Sequence, residues 1–203
     1  TDHKAETISH IVDTIKQYQQ ENGKDQVRFR LATGNVGVMA ATNEEVSAAQ
    51  FPILIYVFSA IIILCLLTFR SLRATLAITL PLGLVSLLAY ALMTQLEIGL
   101  KVSTLPVVAL GVGVGVDYGI YIYSRFQSHL DEGMTIYQAY HETLKVTGSG
   151  VLVTGITLAI GTATWIFSPL QFQADMGILL TFMFLLNMLG ALLLLPALAS
   201  WLL

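Results

Sequence analysis

The chain has 203 residues, of which 55% are hydrophobic and only 11% charged, with a formal net charge of −3. Soluble domains carry about 25% charged residues, so this composition excludes an ordinary soluble fold, and the lack of a basic patch excludes a nucleic-acid partner. The lone Cys65 lies inside an apolar block, and no close His/Cys/Glu spacing suggests a metal site, so neither a disulfide framework nor a metal or other cofactor is expected.

The first fifty residues are the polar part, and five of the ten Lys and Arg (Lys4, Lys16, Lys24, Arg28, Arg30) fall within the first thirty. Ile8, Ile11, Val12, Ile15 and Tyr18 recur at helical spacing, with Gly23 as the stop. "QVRFRLA" then alternates Val27, Phe29 and Leu31 with Arg28 and Arg30, the pattern of a half-buried strand. A helix followed by a strand is half of an α/β unit, so residues 1–42 read as the end of a larger α/β domain. Residues 43–50 read as a linker, with Asn43 as a helix cap.

From Phe51 onward the sequence is a series of apolar blocks, too many for a soluble domain to bury. A membrane span needs about 20 mostly apolar residues. Five segments qualify: 51–69, 74–96, 102–123, 148–167 and 176–195. The third and fourth are less purely apolar than the others. With five spans, the break "RSLR", the long break after Tyr123 and the carboxyl terminus share one side. That side carries Arg70, Arg73, Arg125 and Lys145, against Lys101 alone in the other short breaks, so it is the cytoplasmic one. Residues 1–50 then lie outside, without a signal peptide, and the expected explanation is an upstream membrane segment in a longer polypeptide. Within the cytoplasmic stretch 124–147, Ile136, Tyr137, Tyr140 and Leu144 are near helical spacing after a Thr135 cap, which predicts an interfacial helix. His129 and His141 read as solvent-side residues.

The third span contains "GVGVGVDYGIYIYSR", with Asp117 in its middle. A nucleotide-binding G-x-G-x-x-G would need glycine where Val116 and Tyr118 stand, so that motif is absent. A lipid-exposed strand would leave its backbone unpaired, whereas a helix pairs it internally. On a helix Gly111, Gly115 and Gly119 form one close-packing stripe. Asp117 lies nearly opposite, with Gly113 and Tyr121 a turn to either side. Small residues on both faces predict a helix in the middle of a bundle.

A carboxylate near mid-bilayer costs roughly 2.5–3.5 kcal/mol on insertion scales. Such residues usually face the bundle interior and mark ion or proton pathways, and the alternative is a protonated structural carboxyl bonded across helices. In the next span Thr154, Thr157, Gly161 and Thr164 share a stripe. They either offer hydroxyls to a neighbour or bond back to their own helix. Asn187, near the centre of the last span, reads as interhelical glue or as a relay member.

"GVGVGVDYGIYIYSRF", with the following "DEGMTIYQAYHETLKVTGSGVLVTGITLAIG", resembles the carboxyl-terminal half of a resistance-nodulation-division (RND) exporter. The likeness is to the MMPL-like branch of large membrane lipid and hydrophobe exporters. It covers nearly all of residues 40–203 and implies an all-α integral membrane bundle of five transmembrane helices. This bundle, 51–203, would follow the tail of an extracytoplasmic α/β porter domain. It further implies that Asp117 is the proton-binding aspartate and Tyr118 its adjacent tyrosine. The expected partners are a missing amino-terminal half with a matching Asp-Tyr span, membrane lipids, a hydrophobic or lipid-like substrate, and a homo-oligomeric or adaptor assembly. Protons are the coupling ion.

The mechanism so implied is physical. The Asp117 carboxyl is the group that the resemblance makes exchange a proton. Gain and loss of its proton would reshuffle interhelical hydrogen bonds, with Tyr118 donating to the carboxylate or its partner. One charge moved through 100 mV is worth about 2.3 kcal/mol, enough to bias a two-state helix shift. Two rival readings share the arrangement: a sterol- or lipid-sensing membrane domain without transport, and a protein-translocation accessory of the same superfamily. No nucleophile–base pair stands out, so an enzyme is not expected.

Overall fold

The computed structural model describes residues 10, 14–15, 17–18, 35–96, 98 and 105–202. Among these, every regular element is helical. Helix α1 is Asn35–Phe69, α2 Leu72–Gln95, α3 Leu105–Asp131, α4 Ile136–Thr143, α5 Ser149–Ala163, α6 Gln171–Leu189 and α7 Leu195–Leu202. A π-helical segment, Leu144–Gly148, joins α4 to α5, and a second, Gly190–Leu194, joins α6 to α7. A 3-10 turn, Thr164–Phe167, ends the α5 helix. Five helical stretches are long and apolar enough to cross a membrane: Phe51–Phe69, Leu72–Gln95, Pro106–Asp131, Ile136–Phe167 and Gln171–Trp201.

Several expectations change. The helix around the first span begins at Asn35 and runs unbroken, so residues 43–50 are helical and Asn43 lies inside the helix instead of capping it. A polar stretch can extend a membrane helix into water because its backbone bonds are made within the segment. The expected strand at 27–31 and the stop at Gly23 lie outside the described residues. In the expected helix at 8–18, the described residues are helical, and Thr14 Oγ1 bonds the His10 carbonyl at 2.8 Å.

The stretch 124–147 is not a separate interfacial helix. The third span continues to Asp131, and α4 runs through the π segment directly into the fourth span. Hydropathy marks where lipid ends, whereas backbone hydrogen bonding lets a helix continue into water. The hairpin between them does carry the predicted cap. Thr135 Oγ1 accepts from the Gln138 N–H, and Gln138 Oε1 accepts from the Thr135 N–H at 3.2 Å. Gly133 closes the turn with φ +87°, its N–H on the Leu130 carbonyl at 2.9 Å.

An L side chain in that left-handed region costs about 1–2 kcal/mol. Gly133→Ala is therefore expected to lower the thermal unfolding midpoint of the purified protein. Gly150→Ala, on helical backbone with nothing within 4 Å of an added Cβ, should leave it unchanged or raise it. Equal shifts in the two variants would rule out the conformational explanation.

Helix α6 is the hub of the bundle, packing against α5, α3 and α2. Fully buried Ile78, Val107, Val112, Ile122, Phe126, Leu179, Met183 and Leu195 fill the centre. Lipid tails are as apolar as these side chains, so close packing and interhelical hydrogen bonds hold the helices together. The outer faces carry Phe51, Tyr56, Leu67 and Leu87, all exposed. Trp165 and Trp201 are exposed near helix ends, where an amphipathic ring suits the membrane interface.

Candidate functional site

Helix α3 owes its position to its glycines. A Cβ on Gly111 would lie 2.5 Å from Met183 Cε, and one on Gly115 would lie 2.5 Å from both Asn187 Cγ and Leu82 Cδ2. One on Gly119 would lie 2.9 Å from Ile78 Cγ2. The stripe is therefore the contact surface for α6 on one side and α2 on the other. Asn187 is buried on it and donates from Nδ2 to the Gly111 carbonyl at 2.7 Å. That bond joins the third span to the last across the bundle centre, which is the glue role.

With the glycine stripe turned inward, the opposite face of α3 is open. Asp117 is exposed there, Tyr121 is 62% exposed, and an added Cβ on Gly113 would meet nothing within 4 Å. The expectation that Asp117 faces the interior of this bundle is not met. It stands about 18 Å along the helix from Leu105 at 1.5 Å per residue, on a surface that no described residue covers. The reason is geometric: 117 is six residues from 111 and two from 115 and 119, so the close approach that buries the glycines points the carboxyl away.

Tyr118, 100° further round, is buried at 4% exposure. Its hydroxyl has no hydrogen-bond partner among the described residues, so the Asp117–Tyr118 pair straddles the boundary between the open face and the core.

The threonine stripe of α5 is also on an open face. Thr154 Oγ1 bonds the Gly150 carbonyl, Thr157 Oγ1 that of Val153, and Thr164 Oγ1 that of Gly161, at 2.9, 2.8 and 2.7 Å. These are back-bonds to their own helix, and Gly161, like Gly150, has nothing within 4 Å of an added Cβ. The threonine that does reach a neighbour is Thr162, whose Oγ1 lies 2.9 Å from Thr181 Oγ1 on α6. It belongs to the inner line of α5 with Val151, Gly155 and Ala159. A Cβ on Gly155 would lie 2.7 Å from Met188 Sδ. One residue of helical rotation separates the stripe chosen by sequence from the one that packs.

Two further polar groups were not singled out by sequence. Asp175 is buried in the first turns of α6, a region that hydropathy assigned to a loop because the span was expected to start at 176. Thr143 is fully buried, with its hydroxyl unpaired among the described residues.

His129, expected on the solvent side, is instead buried at 8% exposure, with Nδ1 3.4 Å from Glu132 Oε2. Its spacing from Tyr118, Ile122 and Phe126 at helical intervals was the available signal. All four share the buried face of α3 once that helix is extended to Asp131. His141 is exposed, as expected, and stacks on Tyr137 with ring centroids 6.4 Å apart. No cluster of three or more metal-ligating side chains occurs among the described residues.

Comparison with known proteins agrees with this architecture. The profile of the MMPL family matches residues 1–202. A Methanocaldococcus jannaschii protein, named only as a membrane protein, is 27% identical over 84% of this chain and 44% of its own length. A Streptomyces coelicolor protein, also named only as a membrane protein, is 30% identical over 69% of this chain and 20% of its own. The probable transport protein MmpL12 of Mycobacterium tuberculosis is 25% identical over 70% of this chain and 13% of its own. The chain thus spans less than half the length of these curated relatives. With its five apolar helices, it is a multi-pass membrane protein.

Proposed function

Because this chain belongs to the MMPL family, an RND-type branch of membrane transporters, we propose that it is the carboxyl-terminal membrane part of a transporter driven by the proton-motive force. Its cargo is lipid-like or otherwise hydrophobic or amphipathic. The observation that carries the reading is Asp117: an ionisable side chain half-way along a membrane helix, on a face that the glycine stripe turns away from its own bundle. An uncompensated carboxyl facing lipid is expensive, so the open face of α3 is the surface against which a matching Asp-Tyr span of the amino-terminal half packs. Helix α5, which packs on the same hub helix, has an open small and polar face of its own at Gly150, Thr154, Thr157 and Gly161.

In this reading Asp117 takes up a proton from one side of the membrane and releases it to the other. The buried Tyr118 hydroxyl, unpaired among the described residues, turns to a partner when the two halves shift. The chain lies in the cytoplasmic (inner) membrane, with residues 1–50 outside and the α3–α4 hairpin and carboxyl terminus in the cytoplasm. Arg70, Arg73, Arg125 and Lys145 near the cytoplasmic helix ends support that orientation. The relative named as a transport protein supports the transport class.

The test is export of a fluorescent amphipath from cells or vesicles containing the full-length protein, with and without a protonophore. Collapse of the gradient is expected to stop export within the time the pH difference takes to dissipate. Export that continues unchanged would reject proton coupling. Saturable lipid binding without any export would favour a sensing domain.

A further inference from the structure

The α6–α7 helix contains a proline whose consequences reach the cytoplasmic hairpin. In an α-helix the Leu192 carbonyl would accept from residue 196, but Pro196 has no N–H, and its ring clashes with the carbonyl four residues back. The backbone responds with the π segment Gly190–Leu194, where the Leu195 N–H reaches back to the Gly190 carbonyl. The Leu192 carbonyl is paired from elsewhere: the Tyr140 hydroxyl donates to it at 3.0 Å, across 52 residues of sequence. A side chain of α4 thus replaces the amide that the proline removed.

Four residues after Tyr140 lies the other π segment, Leu144–Gly148, closed by the Ser149 N–H on the Leu144 carbonyl. No proline stands in or near it, since the residues that follow are Ser149, Gly150, Val151 and Leu152. Nothing in its own sequence enforces a π turn, which is rare and frequently found at functional sites. It packs on the first segment: a Cβ on Gly148 would lie 3.4 Å from Leu192 Cδ2. Both segments touch the helix that bears Asp117, and a Cβ on Gly119 of that helix would lie 3.5 Å from Cδ1 of Leu195, the residue that follows the second segment.

We propose that Leu144–Gly148 is a conformational switch, held in its π form by the Tyr140 hydroxyl on the Leu192 carbonyl. The segment in α6–α7 is kept π by Pro196 and serves as the fixed strike plate. Conversion of Leu144–Gly148 to α-helix removes one inserted residue. The hairpin side then rotates by about 100° and moves by about 1.5 Å relative to α5, which carries Tyr140 off Leu192. Because α4 is tied to α3 through the tight turn at Gly133, the movement is transmitted to the helix that bears Asp117.

Amide hydrogen exchange on the purified full-length protein in nanodiscs tests this, with four proteins compared: wild type, Tyr140→Phe, Pro196→Ala and the double variant. Tyr140→Phe is expected to speed exchange over residues 144–149 and 190–195 by about fivefold, the value of one ordinary hydrogen bond. In the Pro196→Ala background the Leu192 carbonyl has an amide partner of its own, so Tyr140→Phe should change exchange by less than about twofold. An equal rise in both backgrounds would overturn the substitution of hydroxyl for amide. A rise confined to 190–195, with 144–149 unchanged, would reduce the bond to a local cap and overturn the switch.

Discussion

Asp117→Asn is expected to reduce export by the full-length protein to the level of membranes that lack it, at matched membrane abundance. Asparagine keeps the size and hydrogen-bonding reach of the side chain but cannot gain or lose a proton at any physiological pH. Asp117 is exposed in this bundle and bonds no described residue, so the change breaks no hydrogen bond within it. Asp117→Glu, which retains a titratable carboxyl one methylene longer, should keep part of the activity. If Asn exports as well as wild type under an imposed gradient, the carboxyl is a packing group and the proton must travel elsewhere. A loss of insertion or abundance in the Asn variant would instead place Asp117 in folding.

The largest effect on stability is expected at the opposite face of the same helix. A Cβ on Gly115 would meet Asn187 Cγ and Leu82 Cδ2, both at 2.5 Å, so neighbours from two helices would have to retreat at once. Pushing Asn187 away also breaks its bond to the Gly111 carbonyl, and overpacking together with a lost buried hydrogen bond costs roughly 2–5 kcal/mol.

Gly115→Ala should therefore lower the unfolding midpoint in detergent markedly and reduce the monodisperse fraction. Gly113→Ala, two residues away with nothing within 4 Å, should be neutral in this bundle or slightly stabilising through helix propensity. The same Gly113→Ala variant is informative for transport. If it folds normally yet impairs export, the open face is a contact surface in the complete transporter. Indistinguishable stability of the two alanine variants would mean that the glycine stripe does not set the position of α3.

Much of this was legible in the sequence because the bilayer imposes simple rules. Five apolar blocks of span length, the Thr135 cap and the separation of Asp117 from the Gly111–Gly115–Gly119 stripe all follow from local periodicity and hydropathy. The errors share a cause. Hydropathy stops where lipid stops, so it ends the third span at Tyr123 and starts the last at 176. Extending α3 to Asp131 places His129 on the buried face with Phe126, and starting α6 at Gln171 brings Asp175 inside. Composition alone could not choose between two adjacent faces of α5, because both carry glycine and threonine. Their difference is which side α6 occupies.

The sequence by itself determined the membrane class, the number of spans, the helical state of the Asp117 segment and its likeness to the RND exporters. These depend on solvent transfer and on residue patterns that act one helix at a time. Only the tertiary structure decided that Asp117 faces away from its own bundle while Tyr118 faces in, that Thr162 and not the Thr154 line joins α5 to α6, and that Tyr140 supplies the hydrogen bond that Pro196 withholds from Leu192. Each of these depends on which neighbour stands within a few ångströms of a given face, and in a bilayer that choice is made by close packing between helices, which no single helix encodes.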